Sequence, residues 1–194
     1  MKKIAVFASG SGTNFQAIID AINAGALEAQ IEILICDRKG AKCISRAESA
    51  GIPTFAFSAK DYMDKTGYEQ DILLKLKEHD VEFIVLAGYM RLIGQTLLSA
   101  FQGKMVNIHP SLLPSFQGKD AIGQAFAANA STTGVTVHFV DEGMDTGPII
   151  DQQAVTIDDG ETKESLELKI HEIEHKLYPA VLQKIFQEEK TTSV

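Results

Sequence analysis

The stretch Lys3-Ile4-Ala5-Val6-Phe7-Ala8-Ser9-Gly10-Ser11-Gly12-Thr13-Asn14-Phe15 decides the fold. Residues 4–8 form a continuous apolar run with no polar alternation, the pattern of a strand buried on both faces. A glycine-rich turn follows at once. Beyond it, Phe15, Ile18, Ile19 and Ile22 recur at helical spacing, which predicts a helix over 14–24. A buried strand feeding a helix through a tight glycine turn is the opening unit of a parallel α/β protein.

The same alternation continues outward. Strands are predicted at 30–36, 54–57, 83–87, 105–108, 136–140 and 149–155, and helices at 41–50, 67–79, 94–101, 119–128 and 162–187, with Pro179 as a kink or break in the last. The expected fold is α/β: a Rossmann-like, three-layer arrangement with a mostly parallel central sheet, helices on both faces and antiparallel strands toward the C-terminus. One domain over 1–188 is expected, with 189–194 as a flexible C-terminal tail.

Composition sets bounds on function. With 194 residues, 45% hydrophobic and 23% charged, the chain can bury a core without staples and is neither disordered nor fibrous. No apolar run approaches the ~18–20 residues of a spanning helix, and the first apolar stretch is too short for a secretory core, so a cytoplasmic protein is expected. Cys36 and Cys43 have neither metal-ligand nor disulfide-framework spacing and read as buried, inert thiols; no metal site is expected. A net charge of −8 speaks against a nucleic-acid partner. It leaves room for a small anion, which a few aimed backbone N–H groups can hold.

The first turn, Gly10-Ser11-Gly12-Thr13-Asn14, has the makings of such a site. Glycines let the backbone approach an anion, Thr13 and Asn14 add donors, and the helix start supplies unpaired N–H groups; Asn14 is also placed to cap the helix. A plain strand–helix turn explains the same residues. The dinucleotide pattern is half met: Asp37 stands where an acidic residue would hold a ribose, but Phe15 occupies the third glycine position. A terminal monophosphate fits better, and a nucleotide-dependent oxidoreductase stays open as the alternative.

The strand at 105–108 runs into Asn107-Ile108-His109-Pro110-Ser111-Leu112-Leu113-Pro114. Residues two apart on a strand share a face, so Asn107 and His109 project together at its carboxyl end. An amide donor beside an imidazole suits a reaction that forms an oxyanion and moves a proton. The acidic stretch Asp141-Glu142-Gly143-Met144-Asp145-Thr146-Gly147-Pro148 reads as a solvated loop or as the source of a carboxylate, Asp145, for His109. His138 reads as structural. The loops at 141–145 and 111–120 are the candidates for mobility.

Taken in order, Gly10-Ser11-Gly12-Thr13-Asn14, Ala87-Gly88-Tyr89-Met90-Arg91-Leu92, Asn107-Ile108-His109-Pro110-Ser111-Leu112-Leu113-Pro114 and Asp145-Thr146-Gly147-Pro148 resemble the folate-dependent formyltransferases. Within these they resemble the branch acting on glycinamide ribonucleotide in purine synthesis, which Ile173-Glu174-His175-Lys176-Leu177-Tyr178-Pro179 also matches.

The resemblance implies transfer of the formyl group of 10-formyltetrahydrofolate, as cosubstrate and without a metal, to the amine of 5-phosphoribosylglycinamide. It implies Asn107, His109 and Asp145 as catalytic residues; Gly12, Thr13 and Asn14 for the phosphate; and Glu174 for the ribose. Lys65, Met90, Arg91, Leu92, Ile93, Asn107, Asp141 and Asp145 would meet the folate, Lys65 at its glutamate tail. His171 stands where relatives carry Lys or Gln, and Gln117 where many carry Pro. Small-molecule partners, no membrane and a monomer or homodimer are expected. A sensor that only binds a phosphorylated ligand, and a hydrolase releasing formate, are the other readings.

Overall fold

The computed structural model describes residues 1–192. Its elements run β1 (Lys2–Ala8), α1 (Thr13–Asn23), β2 (Ala29–Cys36), α2 (Lys42–Ser49), β3 (Thr54–Ala56), a 3-10 turn (Ala59–Asp61), α3 (Lys65–Glu78), β4 (Phe83–Leu86), α4 (Gln95–Ala100), β5 (Met105–His109), α5 (Ala121–Ala127), β6 (Thr132–Phe139), β7 (Ile149–Thr156) and α6 (Lys163–Thr192). The seven strands form one sheet in the order β3-β2-β1-β4-β5-β6-β7. The first five in that order pair in parallel, while β5–β6 and β6–β7 are antiparallel.

Strand pleating explains the three layers. Along β1, Ile4, Val6 and Ala8 face one core with Phe15 and Ile18 of α1, Ala47 of α2 and Leu166, Ile170, Tyr178 and Leu182 of α6. Ala5 and Phe7 face the other, with Tyr68, Ile72 and Leu76 of α3 and Leu97 of α4. A strand buried on both sides needs an unbroken apolar run, the signal that β1 carried. The chain builds β1, β2 and β3 outward and then returns to place β4 on the other side of β1. This reversal opens a crevice at the carboxyl ends of β1 and β4, where such sheets bind ligands.

Several boundaries differ from expectation. β6 starts at Thr132, not at 136. The strand takes in Gly134, a close-approach glycine: a Cβ there would lie 2.3 Å from the Gln153 carbonyl oxygen. α3 begins at Lys65 because the Asp64 side chain caps it, accepting from the Gly67 N–H at 2.8 Å. Pro179 does not break α6, since Tyr178, Val181 and Leu182 bury around it and hold the adjoining turns in place. The same helix runs on to Thr192, past the expected domain end at 188; residues 193 and 194 of the expected tail lie outside the described residues. Among the described residues no helix is long and apolar enough to cross a membrane.

Candidate active site

Three structures meet at the carboxyl edge of the sheet: the loop after β1, the segment after β4 and the end of β5. These strands are neighbours, and adjacent strands lie roughly 4.8 Å apart. Residues far apart in sequence thus share one short edge.

At the end of β5, register does the assembling. Asn107 sits directly opposite His138, and His109 opposite Thr136. The Asn107 Nδ2 lies 3.3 Å from His138 Nε2 and 3.5 Å from Asp145 Oδ1. His138 Nδ1 faces its own strand's Phe139 carbonyl at 2.8 Å. A carbonyl only accepts, so His138 carries a proton on Nδ1, while its Nε2 stands between the Asn107 amide and Asp145 Oδ1, 3.7 Å away. His109 Nε2 donates in the same way to the Phe116 carbonyl at 2.9 Å, and its Nδ1 lies 3.4 Å from Asp145 Oδ2. Both nitrogens of the His109 ring therefore face oxygen acceptors.

Asp145 also accepts from the Gly118 N–H at 2.9 Å. Burial alone would raise its carboxyl; the His138 ring, the Gly118 N–H and the His109 ring outweigh that and hold it below the usual carboxylate range. Asp145 and Phe116 both adopt left-handed backbone, at φ 56° and 54°. An aspartate tolerates this, whereas a phenylalanine there is strained, and the strain turns the Phe116 carbonyl toward His109. The 111–120 and 141–145 loops, expected to be mobile, are tied to each other here. Gly118 N–H bonds the Asp145 carboxylate, and Gln117 Nε2 bonds the Asp145 carbonyl at 3.2 Å.

The loop after β1 leaves the start of α1 without a side-chain cap. Gly12, at φ 71°, is the N-cap of α1 with no side-chain cap, so Asn14 does not cap the helix as expected. A Cβ on Gly12 would lie 2.7 Å from Cys43 Cβ, which makes the glycine a packing requirement as well. The cysteines are buried and free, with Cys43 Sγ 3.6 Å from Cys36 Sγ. The Asn14 amide instead reaches α6, donating to Glu174 Oε2 at 3.3 Å, and His171 Nδ1 lies 2.9 Å from that same oxygen. Glu174 is only 4% exposed, so it is not part of a solvated acidic face. Its hydrogen bond raises the His171 pKa against the opposing effect of burial. Thr13 stands beside Asn14 on the first turn of α1.

The segment after β4 presents Met90 and Leu92, 58% and 45% exposed, to the cleft. Ile93 is buried, with its side chain turned into the core. Lys65 Nζ donates to the Leu92 carbonyl at 2.8 Å and so stands beside this segment. Arg91 pairs with Asp37 at 2.7 Å. Asp141 is occupied within its own loop, accepting from the Gly143 N–H at 3.0 Å and the Thr146 hydroxyl at 2.6 Å.

Two contacts were missed from sequence. His138 belongs to the Asn107–His109–Asp145 cluster, and only the antiparallel pairing of β6 with β5, across the intervening α5, brings it opposite Asn107. Asp37 is buried under Arg91 and Ser9 rather than open to a ribose.

An α/β sheet with a strand-end Asn–His pair, a carboxylate and an uncapped helix start at its switch point is the frame of a group-transfer enzyme. The formyl transferase family matches residues 2–182, and the chain belongs to that family. It is 55% identical over 185 residues, 95% of each chain, to the phosphoribosylglycinamide formyltransferase of Bacillus subtilis. It is 41% identical to the human trifunctional purine biosynthetic protein adenosine-3, over 93% of this chain but 18% of that longer protein. The crystal structure of glycinamide ribonucleotide transformylase 1 from Geobacillus kaustophilus superposes with a TM-score of 0.93 at 62% identity, covering 95% of this chain and 98% of that one.

Proposed function

We propose that the protein transfers the formyl group of 10-formyltetrahydrofolate to the amine of 5-phosphoribosylglycinamide, giving the N-formyl product and tetrahydrofolate in purine synthesis, with residues 1–188 as the working domain. The observation that carries this reading is the meeting of Asn107, His109 and Asp145 at the end of β5, beside the β4 segment and across it from the β1 loop. The family and its near-full-length relatives support it.

The phosphate is assigned to the Gly12–Asn14 turn and the ribose to Glu174, with His171 adding positive charge beside them when protonated. The folate is assigned to the Met90–Ile93 segment and the 141–145 loop. The neutral amine attacks the formyl carbon, and the carbonyl electrons move onto oxygen. Asn107 and the His109 imidazolium stabilise that oxygen; good oxyanion donors contribute ~2–4 kcal/mol each. The Asn107 contact to Asp145 is long at 3.5 Å, so this N–H is the one released to the oxyanion at least loss. Asp145, held as a carboxylate, faces His109 Nδ1 and fixes the orientation of the ring. The carbon–N10 bond then breaks, and the proton shed by the amine goes to N10. Holding both substrates on one sheet edge supplies much of the remaining acceleration.

The oxidoreductase reading loses its support, because Asp37 is inaccessible and Phe15 fills the space a third glycine would leave. The test is formation of tetrahydrofolate from the formyl folate with and without glycinamide ribonucleotide. Turnover that requires the ribonucleotide supports the proposal. Formate release without it would show a hydrolase.

A further inference from the structure

We infer that Asp37 and Ser9 are positioning residues for the cosubstrate: they hold Met90 and Arg91 in the shape that the formyl folate meets. This rests on the assignment of the 90–93 segment to the folate made above.

The segment after β4 has no regular structure of its own, and hydrogen bonds from outside it set its shape. Ser9 Oγ accepts the Met90 N–H at 2.8 Å and donates its own proton to Asp37 Oδ1. Asp37 Oδ2 accepts from Arg91 Nε at 2.7 Å. Two successive residues of the segment are thereby pinned, one by backbone and one by side chain, to groups at the ends of β1 and β2. The Arg91 guanidinium also lies over the Tyr68 ring, 5.6 Å from its centroid. A charge-assisted pair stacked on an aromatic face has little freedom.

The Asp37 side chain is 3% exposed and that of Arg91 35%. Asp37 thus holds the inner edge of the guanidinium, and the outer part stays at the surface between exposed Met90 and Leu92. Those remaining N–H groups suit an anionic group on the cosubstrate. Removing the Asp37 charge would leave Arg91 without its partner and Ser9 without its acceptor, and would release the Met90 backbone with them.

The ribonucleotide loop has separate supports. The Cys43 N–H donates to the Gly10 carbonyl at 3.0 Å, and Arg46 Nε to the Ser11 carbonyl at 2.8 Å, both from α2. Loss of Asp37 therefore falls on the folate side.

The experiment compares wild type, Asp37→Asn, Ser9→Ala, Arg91→Ala and the Asp37→Asn/Arg91→Ala pair, with each substrate varied in turn and melting curves recorded. Asp37→Asn is expected to raise the KM for the formyl folate about 10-fold or more, as loss of a charge-assisted bond implies. The ribonucleotide KM should move less than about twofold, since no charge-assisted bond on that side is lost. Ser9→Ala should act in the same direction but less. The double variant should exceed Arg91→Ala by no more than the Ser9→Ala effect, because Asp37 acts through Arg91 and through Ser9. Equal rises in both KM values, or a full Asp37→Asn effect persisting without Arg91, would overturn the inference. Should Asp37→Asn not fold, the KM split in Ser9→Ala and Arg91→Ala decides, and its absence counts against the inference. A wild type unable to transfer formyl to the ribonucleotide would instead be a failure of the proposed function, which the same assay shows first.

Discussion

Asn107 has two N–H bonds to give, and in the free protein they face His138 and Asp145. Asp145 in turn touches Asn107, His109, His138 and the Gly118 N–H, so it is the hub of the cluster. Asn107→Ala should lower turnover about 100–1000-fold, the usual loss for an oxyanion donor, with both substrates still bound. His109→Ala and Asp145→Asn should each lower turnover strongly. Their combination should lose far less than the product, because residues acting as one unit are not additive. Single-turnover kinetics on the four proteins checks this; multiplicative losses would mean that His109 and Asp145 act apart. The same carboxylate has a signature in stability. Its folded pKa lies below its unfolded value, so it stabilises the fold above ~pH 4 and that contribution disappears as pH falls through the folded pKa. Urea midpoints measured from pH 6 to pH 3 should show wild type losing ground relative to Asp145→Asn on acidification. A gap between the two that does not narrow would sink the argument.

At the scale of elements, α6 shows what could and could not be read beforehand. Leu166, Ile170, Tyr178 and Leu182 form a buried row at four-residue spacing, and Glu174 occupies the place between Ile170 and Tyr178. A carboxylate in an apolar row is a sign of an inward-facing ligand. It was hidden because the helix also carries exposed acids at Glu164 and Glu172, which make the whole stretch look solvated. The strands near the start were legible because β1 and β4 are buried on both faces and read as unbroken apolar runs. β6 extends N-terminal of its apolar stretch through Thr132, Thr133 and Gly134, which carry no strand-like apolar pattern, and the His138–Asn107 contact depends on antiparallel register, which no local pattern encodes. Two experiments follow. Glu174→Ala should raise the ribonucleotide KM about 10-fold or more, from loss of a charge-assisted bond, and leave the folate KM nearly unchanged. Steady-state kinetics with each substrate varied distinguishes this from a general loss. Gly134→Ala drives a methyl group toward the Gln153 carbonyl and the Leu112 side chain. Overpacking of this kind costs about 1–3 kcal/mol, and each kcal/mol lowers Tm by about 2–4 °C at this size. An unchanged Tm would mean that the β6–β7 ladder yields more easily than its geometry implies.

Across the whole molecule, the site draws on β1, β4, β5, the β6–β7 loop and α6, so no early fragment of the chain contains it. α6 also closes one face of the sheet. Leu166, Ile170, Tyr178, Val181, Leu182, Ile185 and Phe186 are all buried against the core that α1 and β1 begin. A chain ended at residue 162 would expose that core and lose Glu174 as well, so it should not fold cooperatively. A chain ended at 188 is a different matter. Among the described residues, the contacts it removes include ion pairs near the opposite, amino-terminal edge of the sheet: Glu189 with Lys2 at 2.7 Å, and Lys190 with Glu28. The Lys190–Glu28 pair is open to solvent, and such pairs contribute only about 0–1 kcal/mol; the Lys2–Glu189 pair is partly buried. Neither pair touches the carboxyl edge where Asn107, His109, Asp145 and Glu174 meet. The 1–188 chain should therefore keep both KM values and the turnover of the full chain, with Tm lower by only a few degrees, on the order of 2–4 °C per kcal/mol lost. Circular-dichroism melts and formyl-transfer rates on the 1–162, 1–188 and full-length chains make the comparison. Loss of activity in the 1–188 chain would extend the working domain through the last turn of α6 and make the Lys2 and Glu28 contacts part of what holds the sheet together.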